Sequence, residues 1–460
     1  MTEDGEPDGN GSPRTDLSPV VAACEAADAD AFVAVGDRSD DGLRYLTRFA
    51  GPDREYALVV VPDAAGRKRE RVEAVEGDER GRAVLCAPSL YAEQARREFV
   101  DGARRDDGPF HDGVTREVRT ENGGDPAGER AAAVVREACD EGSEPVRIDE
   151  DDANGATDGA TVLVPRSIPH DAAVYLERAG ATLASTAVVD EARAIKSAAE
   201  IGRLRRVQHA AARAMAHAET VLAESEVRSE REVRSEPDDE VVDAAPGPVL
   251  VWNDELLTTE RLRREANAAL ALGGVRDAGN TVIESGSGST AADRHDAGTD
   301  PIRPGETVLI DVSPRGPHGY HGDMTRTFVV DGDGGWERRA SVAVEAAREA
   351  ALDEIEPGVA ADAVHRESAA ELAAYGFDPN ATEGVPGFTH GTGHGVGMSL
   401  HEAPSLSSDT ELRPGHVVAI EPGVYDPETG GVRLGDLIVV TDDGSEVLAE
   451  YPLRTVPESR

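Results

Sequence analysis

Apolar and polar positions follow two different patterns along this chain, and the change between them predicts two domains. In the first half, short apolar runs rich in β-branched residues alternate with segments of helical periodicity, which is typical of an α/β domain. The predicted strands are Ala31 to Gly36, Tyr56 to Pro62, Ala83 to Ala87 and Thr161 to Pro165. The predicted helices are Tyr91 to Val100, Gly128 to Cys139 and His170 to Gly180, and residues 101–128 are predicted to form a loop. We therefore expect a smaller α/β domain over residues 18–190, preceded by a disordered acidic tail over residues 1–17.

A long helical pattern opens the second domain, which we expect over residues 191–460. The helical period persists from Ala192 to Ala223 and predicts one continuous helix. Directly after it, the pentapeptide Glu-Val-Arg-Ser-Glu occurs twice within residues 226–236. A charged, repetitive segment of this kind is typical of a solvated loop, so residues 224–247 are predicted to be an insertion.

From Thr281 onward the pattern predicts strand pairs and single helices, an α+β arrangement. The runs Glu306 to Val312 and Met324 to Val330 are joined by a turn-rich segment and predict a β-hairpin. Two amphipathic helices follow, and Gly376 is predicted to cap the second in the left-handed conformation. These helices are Arg338 to Ile355 and Ala360 to Gly376, and the further predicted strands are Gly397 to Glu402, His416 to Tyr425 and Gly431 to Thr441.

Composition changes this picture mainly by excluding partners. The 460 residues carry 90 Asp and Glu against 47 Lys and Arg, a formal net charge of -43. So acidic a surface repels phosphate backbones and anionic membrane surfaces, and we expect neither nucleic acid nor membrane as a partner. Lysine occurs only at Lys68 and Lys196, while the acids are spread along the whole chain. This pattern indicates a salt-adapted protein, because molar salt shortens charge repulsion to about 3 Å.

The compartment follows from the absence of targeting and disulfide signals. The N-terminal segment carries acids where a secretory signal would carry bases, and the chain has no apolar run long enough for a membrane helix. The cysteines, Cys24, Cys86 and Cys139, are odd in number and lack a Cys-x-x-Cys spacing. We therefore expect a cytoplasmic protein without a disulfide framework.

Candidate chemistry is concentrated in the second half. Asp311 lies inside an otherwise apolar strand and Asp323 at the start of its partner, so the hairpin can bring two carboxylates together. A lone strand Asp is more often a solvent-facing residue or a turn cap, but burying a charge is costly unless it is paired or metal-bound. His394, in a glycine-rich segment, and Glu421 add an imidazole and a third carboxylate. These are the ligand types that a pair of divalent metal ions requires.

Four segments carry a resemblance to a known family: residues 310–330, 388–404, 417–425 and 430–441. In residue type and order they resemble the pita-bread-fold metallopeptidases of family M24, in the Xaa-Pro aminopeptidase and prolidase branch, as an acidic member of haloarchaeal type. The resemblance is specific over residues 196–452 and weaker in the first half, which is similar to the creatinase-type N-terminal domain. It implies a C-terminal pita-bread domain preceded by a smaller creatinase-type α/β domain.

The resemblance also implies roles for individual residues. Four positions match four of the five ligands of a dinuclear site for Mn, Co, Fe or Zn: Asp311, Asp323, His394 and Glu421. Three histidines match positions that contact the substrate or the scissile peptide: His295, His390 and His401. The remaining matches are Tyr425 and Arg433 on the substrate side, and Glu421 as the group that moves a proton to the leaving nitrogen.

One position departs from the family's pattern. The strand containing Arg433 normally carries a glutamate two residues later that bridges both metals, and this chain has Gly435 there. Asp436 follows, but consecutive strand residues point to opposite faces, so its carboxylate should face away unless a bulge turns it. The second metal site is therefore expected to be weak.

The implied activity is metal-dependent hydrolysis of Xaa-Pro bonds in short, proline-containing peptides by an aminopeptidase or a dipeptidase. In such a mechanism, two ions share a hydroxide that attacks the peptide carbonyl. Two alternatives stay open: a non-catalytic or single-metal binding module, favoured by Gly435, and a creatinase-like, metal-independent C–N hydrolase. The oligomeric state is also open, with a homodimer as one alternative.

Overall fold

The structure is a computed structural model that describes residues 15–63, 80–101, 112–120, 125–142, 159–233, 247–290, 300–382 and 384–460. Its contacts divide the chain into two compact units, Met1–Arg193 and Ala194–Arg460. Residues 1–14 of the predicted tail lie outside the described residues. The disorder predicted as far as residue 17 is wrong at its end, because Leu17 is fully buried and its backbone N–H donates to Asp112.

The first unit is built on a six-stranded mixed sheet. The strands are β1 (Ala31–Gly36), β2 (Tyr56–Pro62), β3 (Gly81–Cys86), β4 (Val114–Arg119), β5 (Thr161–Pro165) and β6 (Thr182–Thr186). Their order is β4-β3-β2-β1-β5-β6. The four predicted strands are confirmed as β1, β2, β3 and β5. The loop predicted over residues 101–128 is wrong where β4 forms, and β6 was not predicted. Both are edge strands with few buried side chains, so the apolar signal that identifies central strands is weak there.

The helices of this region cover the sheet. They are α1 (Ser18–Ala26), α2 (Asp41–Thr47), α3 (Ala92–Ala95), α4 (Ala127–Gly142), α5 (His170–Arg178) and α6 (Val188–Ala194). The predicted helices correspond to α3 with the π-helical turn that follows it, to α4 and to α5. Small side chains of α4, such as Ala131 and Val134, pack against Val33, Val59 and their neighbours in the sheet.

The single helix predicted from Ala192 to Ala223 is interrupted. Helix α6 ends at Ala194, and α7 (Ala198–Ala223) begins only after Ser197. The Ser197 side chain caps the new helix and Glu200 returns the bond to the Ser197 backbone, a reciprocal capping box. The intervening Lys196 N–H donates to the Gly415 carbonyl, 2.8 Å away. The chain therefore leaves one helix and starts another at a point fixed by tertiary contacts.

The predicted solvated insertion is regular at its beginning. Residues 226–229 form β7 (Glu226–Ser229), followed by the short helix α8 (Glu230–Val233). Strand β7 pairs with β8 (Pro248–Trp252), which in turn pairs with β9 (Glu255–Leu256). The prediction is wrong for this part because backbone pairing with β8, including Val227 opposite Leu250, outweighs the charged composition. Residues 234–246 lie outside the described part of the chain.

The rest of the described second unit contains antiparallel strand groups and the three helices α9, α10 and α11. The three-stranded sheet has the order β10-β11-β12, the five-stranded sheet β14-β13-β15-β18-β19, and β16 pairs with β17. The elements are α9 (Thr259–Leu272), β10 (Val282–Ser285), β11 (Thr307–Val312), β12 (Met324–Val329), α10 (Trp336–Glu354), α11 (Ala361–Ala374), β13 (His394–Gly395), β14 (Glu402–Ser405), β15 (Val417–Ile420), β16 (Gly423–Asp426), β17 (Gly430–Arg433), β18 (Asp436–Thr441) and β19 (Gly444–Val447).

Most predictions for this region are confirmed. Strands β11 and β12 form the predicted hairpin, α10 and α11 are the predicted helices, and Gly376 has a φ of +85° after α11. The strand predicted from Gly397 to Glu402 is wrong, because this segment folds as a series of bends and pairing begins only at Glu402. The last two predicted strands are each divided, one at Glu421–Pro422 and the other at Leu434–Gly435. Within the described ranges, no helix combines the length and apolar character that a bilayer crossing requires.

The C-terminal segment is tied to α7 by one buried carboxylate. Glu219 is fully buried and accepts hydrogen bonds from the Tyr451 hydroxyl, from Arg454 Nε at 3.2 Å and from Arg460 Nε at 2.8 Å. The Glu458 N–H also donates to it, at 3.1 Å. These bonds satisfy a charge whose burial would otherwise be costly.

Candidate metal centre

The β11–β12 hairpin brings the two predicted aspartates together. Asp311 lies in β11 opposite Thr325, and Asp323 immediately precedes β12. The Ser313 hydroxyl lies between the two carboxylates, 3.1 Å from Asp311 Oδ1 and 3.4 Å from Asp323 Oδ1. The juxtaposition predicted from the alternation of the hairpin is therefore present.

The five-stranded sheet supplies the imidazole and the third carboxylate. His394 begins β13, and Glu421 follows the end of β15. His394 Nε2 lies 3.3 Å from Glu421 Oε1 and 3.8 Å from Asp323 Oδ2. The backbone at Gly393 is pressed against β15, since a Cβ there would lie 1.8 Å from the Ala419 carbonyl oxygen. This glycine thus permits a close approach between strands that places His394 beside Glu421.

The remaining described candidates line the same group of side chains. His390 Nε2 lies 2.8 Å from the Tyr425 hydroxyl oxygen, and the rings of His394 and His401 are 4.1 Å apart. The Arg433 guanidinium donates to Asp311 Oδ2 in a short, largely buried ion pair. His295, the remaining candidate, lies outside the described residues.

The charges in this cluster are unevenly neutralised. Burial and the neighbouring carboxylate of Asp311 raise the pKa of Asp323 well above its usual range. For Glu421 the net effect is the opposite. Burial alone would raise its pKa, but the hydrogen bond to His394 and the charge of Arg433 outweigh burial and lower the pKa to about 2. His394 is the converse case, since Glu421 overcomes the effect of burial and raises its pKa to about 9. Three carboxylates thus share one guanidinium and one imidazole, and the unbalanced charge favours a bound cation.

The donors suit a metal ion by type, although the side chains now satisfy one another. Two ligands that each lie about 2.1 Å from one ion are about 3.0–3.4 Å apart, close to the separation of His394 and Glu421. In the described ranges, however, no group of three or more His, Cys, Asp or Glu side chains is arranged to hold an ion. Arg433 engages Asp311 and His394 engages Glu421. An ion would therefore have to displace these contacts and the His394 proton.

Residue 435, the position of the fifth ligand in a dinuclear site, carries no carboxylate, as the sequence indicated. Gly435 forms an antiparallel bridge with Thr325 through two backbone hydrogen bonds of 2.9 and 3.1 Å. A Cβ at this position would lie 2.8 Å from Thr325 Oγ1 and 3.0 Å from Thr325 N. The Thr325 hydroxyl is buried without a hydrogen-bond partner. No carboxylate from residue 435 can bridge two ions, so the residues fit one ion better than a pair.

Asp436 does not take over this role. Its two carboxylate oxygens are bound by Arg326 at 2.7 Å and by Arg348 at 2.6 Å, and its side chain is 1% exposed. Arg326, itself fully buried, also donates to the carbonyls of Thr325 and Gly435. The predicted orientation of Asp436 away from the site is therefore confirmed, and no bulge turns it inward.

Comparison with known proteins identifies the family. Residues 202–442, more than half of the chain, match metallopeptidase family M24. The chain belongs to metallopeptidase family M24. The Xaa-Pro dipeptidase of Pyrococcus horikoshii is 32% identical over 235 residues, which cover 49% of this chain and 64% of that protein. The probable dipeptidase PepE of Mycobacterium tuberculosis is 35% identical over 179 residues, 38% of this chain and 46% of that protein. The matched part of the chain thus spans about half to two thirds of these curated relatives.

Solved structures extend the likeness over nearly the whole M24 chain. The prolidase of Pyrococcus horikoshii OT3 covers 96% of it at a TM-score of 0.68 and 20% identity, with 99% of that structure matched. An Xaa-Pro dipeptidase from Bacillus anthracis covers 96% at a TM-score of 0.69 and 21% identity, with 98% matched. These likenesses establish the fold and confirm the predicted class, an N-terminal α/β domain followed by a pita-bread domain.

One residue that positions this M24 site was not predicted. Gln208, fully buried on α7, accepts from the Asp323 N–H at 2.8 Å and donates to the Asp323 carbonyl at 2.6 Å. Its amide therefore holds the backbone of this candidate ligand through both the N–H and the carbonyl. The sequence did contain a signal for this role. Gln208 is a polar residue on the helix face that otherwise carries apolar residues, including Leu204, Ala211 and Met215.

We expect Gln208→Met to weaken metal binding by about 10–100-fold, the usual cost of losing an outer-shell partner of a ligand. Methionine preserves the volume but removes both bonds to the Asp323 backbone. Calorimetric titration of chelator-treated protein with Mn²⁺ measures the dissociation constant. The matched control is Glu219→Gln, three turns along the same helix and also fully buried, which should lower the unfolding temperature without changing this constant. Equal affinity in Gln208→Met and wild type would contradict the assignment.

Proposed function

We propose that this chain is a metal-dependent peptidase that cleaves Xaa-Pro bonds in short peptides, as an aminopeptidase or a dipeptidase. The observation that carries the proposal is the convergence of Asp311, Asp323, His394 and Glu421 within the M24 region, with His401 beside them. The relatives named Xaa-Pro dipeptidase support the choice of substrate.

The proposed metal arrangement is asymmetric. Asp323, His394 and Glu421 would hold one ion tightly, whereas a second would rest on Asp311 and a shared Asp323. Manganese, cobalt, iron or zinc bound here would polarise the scissile carbonyl and lower the pKa of water. The second position is weak because residue 435 is glycine.

The protein's own groups then have distinct tasks. We assign to the exposed His401 the stabilisation of the carbonyl oxygen as negative charge develops on it. His390, whose ring bonds to the Tyr425 hydroxyl, is the second candidate for this role. Glu421 accepts a proton from the attacking water and delivers it to the proline nitrogen as the C–N bond breaks. We assign substrate contacts to Tyr425, Arg433 and His295 as well, following the family pattern.

Hydrolysis of an Xaa-Pro dipeptide, followed by chromatography, tests the proposal. Chelator-treated protein should be inactive and should regain activity with excess Mn²⁺ or Co²⁺, whereas a dipeptide without proline should be cleaved much more slowly. Metal binding without hydrolysis of any proline-containing peptide would instead favour the binding module, the alternative for which Gly435 argues.

We also infer that the enzyme is cytoplasmic and salt-adapted. The dispersed excess of 90 acidic over 47 basic residues and the lack of paired cysteine spacings support this inference.

Stability should accordingly rise with salt. Raising KCl from about 0.2 M to 3 M shortens the range of charge repulsion from about 7 Å to less than about 3 Å. We expect the unfolding temperature, measured by calorimetry, to increase by about 5 °C or more, equivalent to about 1–2 kcal/mol for a domain of this size. An unfolding temperature that does not change between the two salt concentrations would refute salt adaptation.

A further inference from the structure

Lys196 stands out in both composition and structure. Of the 47 basic residues in this chain, 45 are arginine, and Lys196 is one of the two lysines. Its side chain is only 1% exposed, and its ammonium lies 2.8 Å from Glu402 Oε1, on a side chain that is 8% exposed. The ammonium also donates to the Ala194 carbonyl, at 3.1 Å. A buried lysine in a chain that uses arginine almost everywhere else indicates a requirement for a compact point charge at this place.

The Lys196 side of this ion pair is rigid. Its backbone N–H is bonded to Gly415, and the adjacent Ser197 caps α7 through the capping box with Glu200. The backbone of Lys196 and of the adjacent Ser197 is thus fixed by contacts that do not involve Glu402. Lys196 can therefore serve as an anchor to which another segment is attached.

The Glu402 side belongs to the bends over residues 397–402, the segment that carries His401. Glu402 Oε2 accepts the Ser399 N–H at 3.2 Å, and the Gly397 N–H donates to the Ser399 carbonyl at 3.0 Å. A Cβ at Gly397 would lie 2.1 Å from Glu402 Oε1, so the chain folds closely over the carboxylate. The Glu402 carboxylate is thus the centre around which this segment is organised.

We propose that Lys196 and Glu402 are positioning residues for His401. The ion pair fixes the segment of residues 397–402 so that the His401 ring stays 4.1 Å from that of His394, at the proposed metal ligands. Burying an ion pair adds little stability by itself, and its best supported use is to specify one arrangement. The proposal deepens the peptidase function and rests on it, because His401 is there assigned to the substrate carbonyl.

Three variants test the pair: Lys196→Met, Glu402→Gln and the two combined. We expect Lys196→Met to lower kcat on an Xaa-Pro dipeptide about 100-fold, the effect of moving a catalytic group by about 1 Å. The Mn²⁺ affinity and KM should change less than threefold, because no metal ligand is altered. The double variant should be no slower than the slower single variant, since the two side chains act as one unit. Glu219→Gln, which removes a buried charge on α7 away from the site, should lower the unfolding temperature and leave kcat unchanged.

A second measurement does not depend on activity. The imidazole resonances of His401, assigned by their loss in His401→Asn, should shift in Lys196→Met and stay in place in Glu219→Gln. If wild type hydrolyses no proline-containing peptide, the proposed function fails and these resonances alone decide the positioning role. Unchanged His401 resonances, or kcat within twofold of wild type in Lys196→Met and in the double variant, would show that the pair serves stability only.

Discussion

Asp323→Ala is expected to abolish metal binding while leaving the metal-free protein folded. The Asp323 carboxylate lies 3.8 Å from His394 Nε2 and is linked to Asp311 through the Ser313 hydroxyl. Since losing an outer-shell partner already costs about 10–100-fold, losing the ligand itself should weaken binding by more than about 100-fold. Titration with Mn²⁺ and hydrolysis of an Xaa-Pro dipeptide should both fall to background.

The direction of the stability change in Asp323→Ala follows from the pKa of Asp323. Burial and neighbouring carboxylates raise the pKa of Asp323, so at neutral pH its ionised form opposes folding, and removing it should not lower the unfolding temperature of chelated protein. Asp112→Ala is the matched control. The Asp112 carboxyl is also buried, but hydrogen bonds and the charge of Arg116 outweigh that burial and lower its pKa, so it contributes stability above its unfolded pKa. Its removal should destabilise the fold, by about 3–5 kcal/mol if it behaves as a typical buried pair, and leave metal affinity intact. Unfolding of metal-free Asp323→Ala would contradict this account.

Gly435→Glu should tighten the second metal site at a cost in stability. A side chain at this position meets Thr325 within 2.8–3.0 Å, and overpacking of this kind costs about 1–3 kcal/mol. The new carboxylate would supply the missing bridge, so activity should require less excess divalent cation. Gly435→Ala is the control, because it introduces the same crowding without the carboxylate. The same weak second site in both variants would show that residue 435 does not reach the metals.

Asp436→Ala should lower the stability of the fold without changing metal affinity. It leaves Arg326, fully buried, and Arg348 without their carboxylate, and breaking a buried pair costs about 3–5 kcal/mol. Unfolding measured by denaturant should reveal this loss, while calorimetry should find the metal dissociation constants of the folded protein little changed. Loss of the second site in a folded Asp436→Ala protein would mean that Asp436 acts on the metals after all.

The parts of this fold that were predictable are those encoded by local alternation. The hairpin of β11 and β12 follows from two apolar runs around a turn, and its pairing places Asp311 near Asp323 without further information. The period of two also gave the direction of Asp436, because Gly435 and Asp436 are neighbours in one extended segment. What alternation could not supply was the reason that this direction is fixed, namely Arg326 from one strand and Arg348 from α10.

The parts that were not predictable depend on distant partners. Gln208 reaches Asp323 across 115 residues, and Lys196 reaches Glu402 across more than 200, so neither contact leaves a local pattern. Strands β4 and β6 are edge strands whose polar faces hide the alternation. The break before α7 is different in kind, since Ser197 and Glu200 form a recognisable capping box that the strong helical period of the flanking residues obscured.

The buried ammonium of Lys196 makes the segment around His401 accessible to a chemical measurement of motion. Amine acylation requires an exposed, uncharged amine, and a side chain that is 1% exposed and held by Glu402 can react only while the ion pair is open. With Lys68 as the chain's other lysine, mass spectrometry can follow acylation of Lys196 as a separate peptide signal. The rate of that reaction, compared with and without divalent metal, would report the free energy of local opening at the proposed catalytic histidine. Because the chain has only two lysines, Lys196 can report local opening beside the proposed site with little interfering signal.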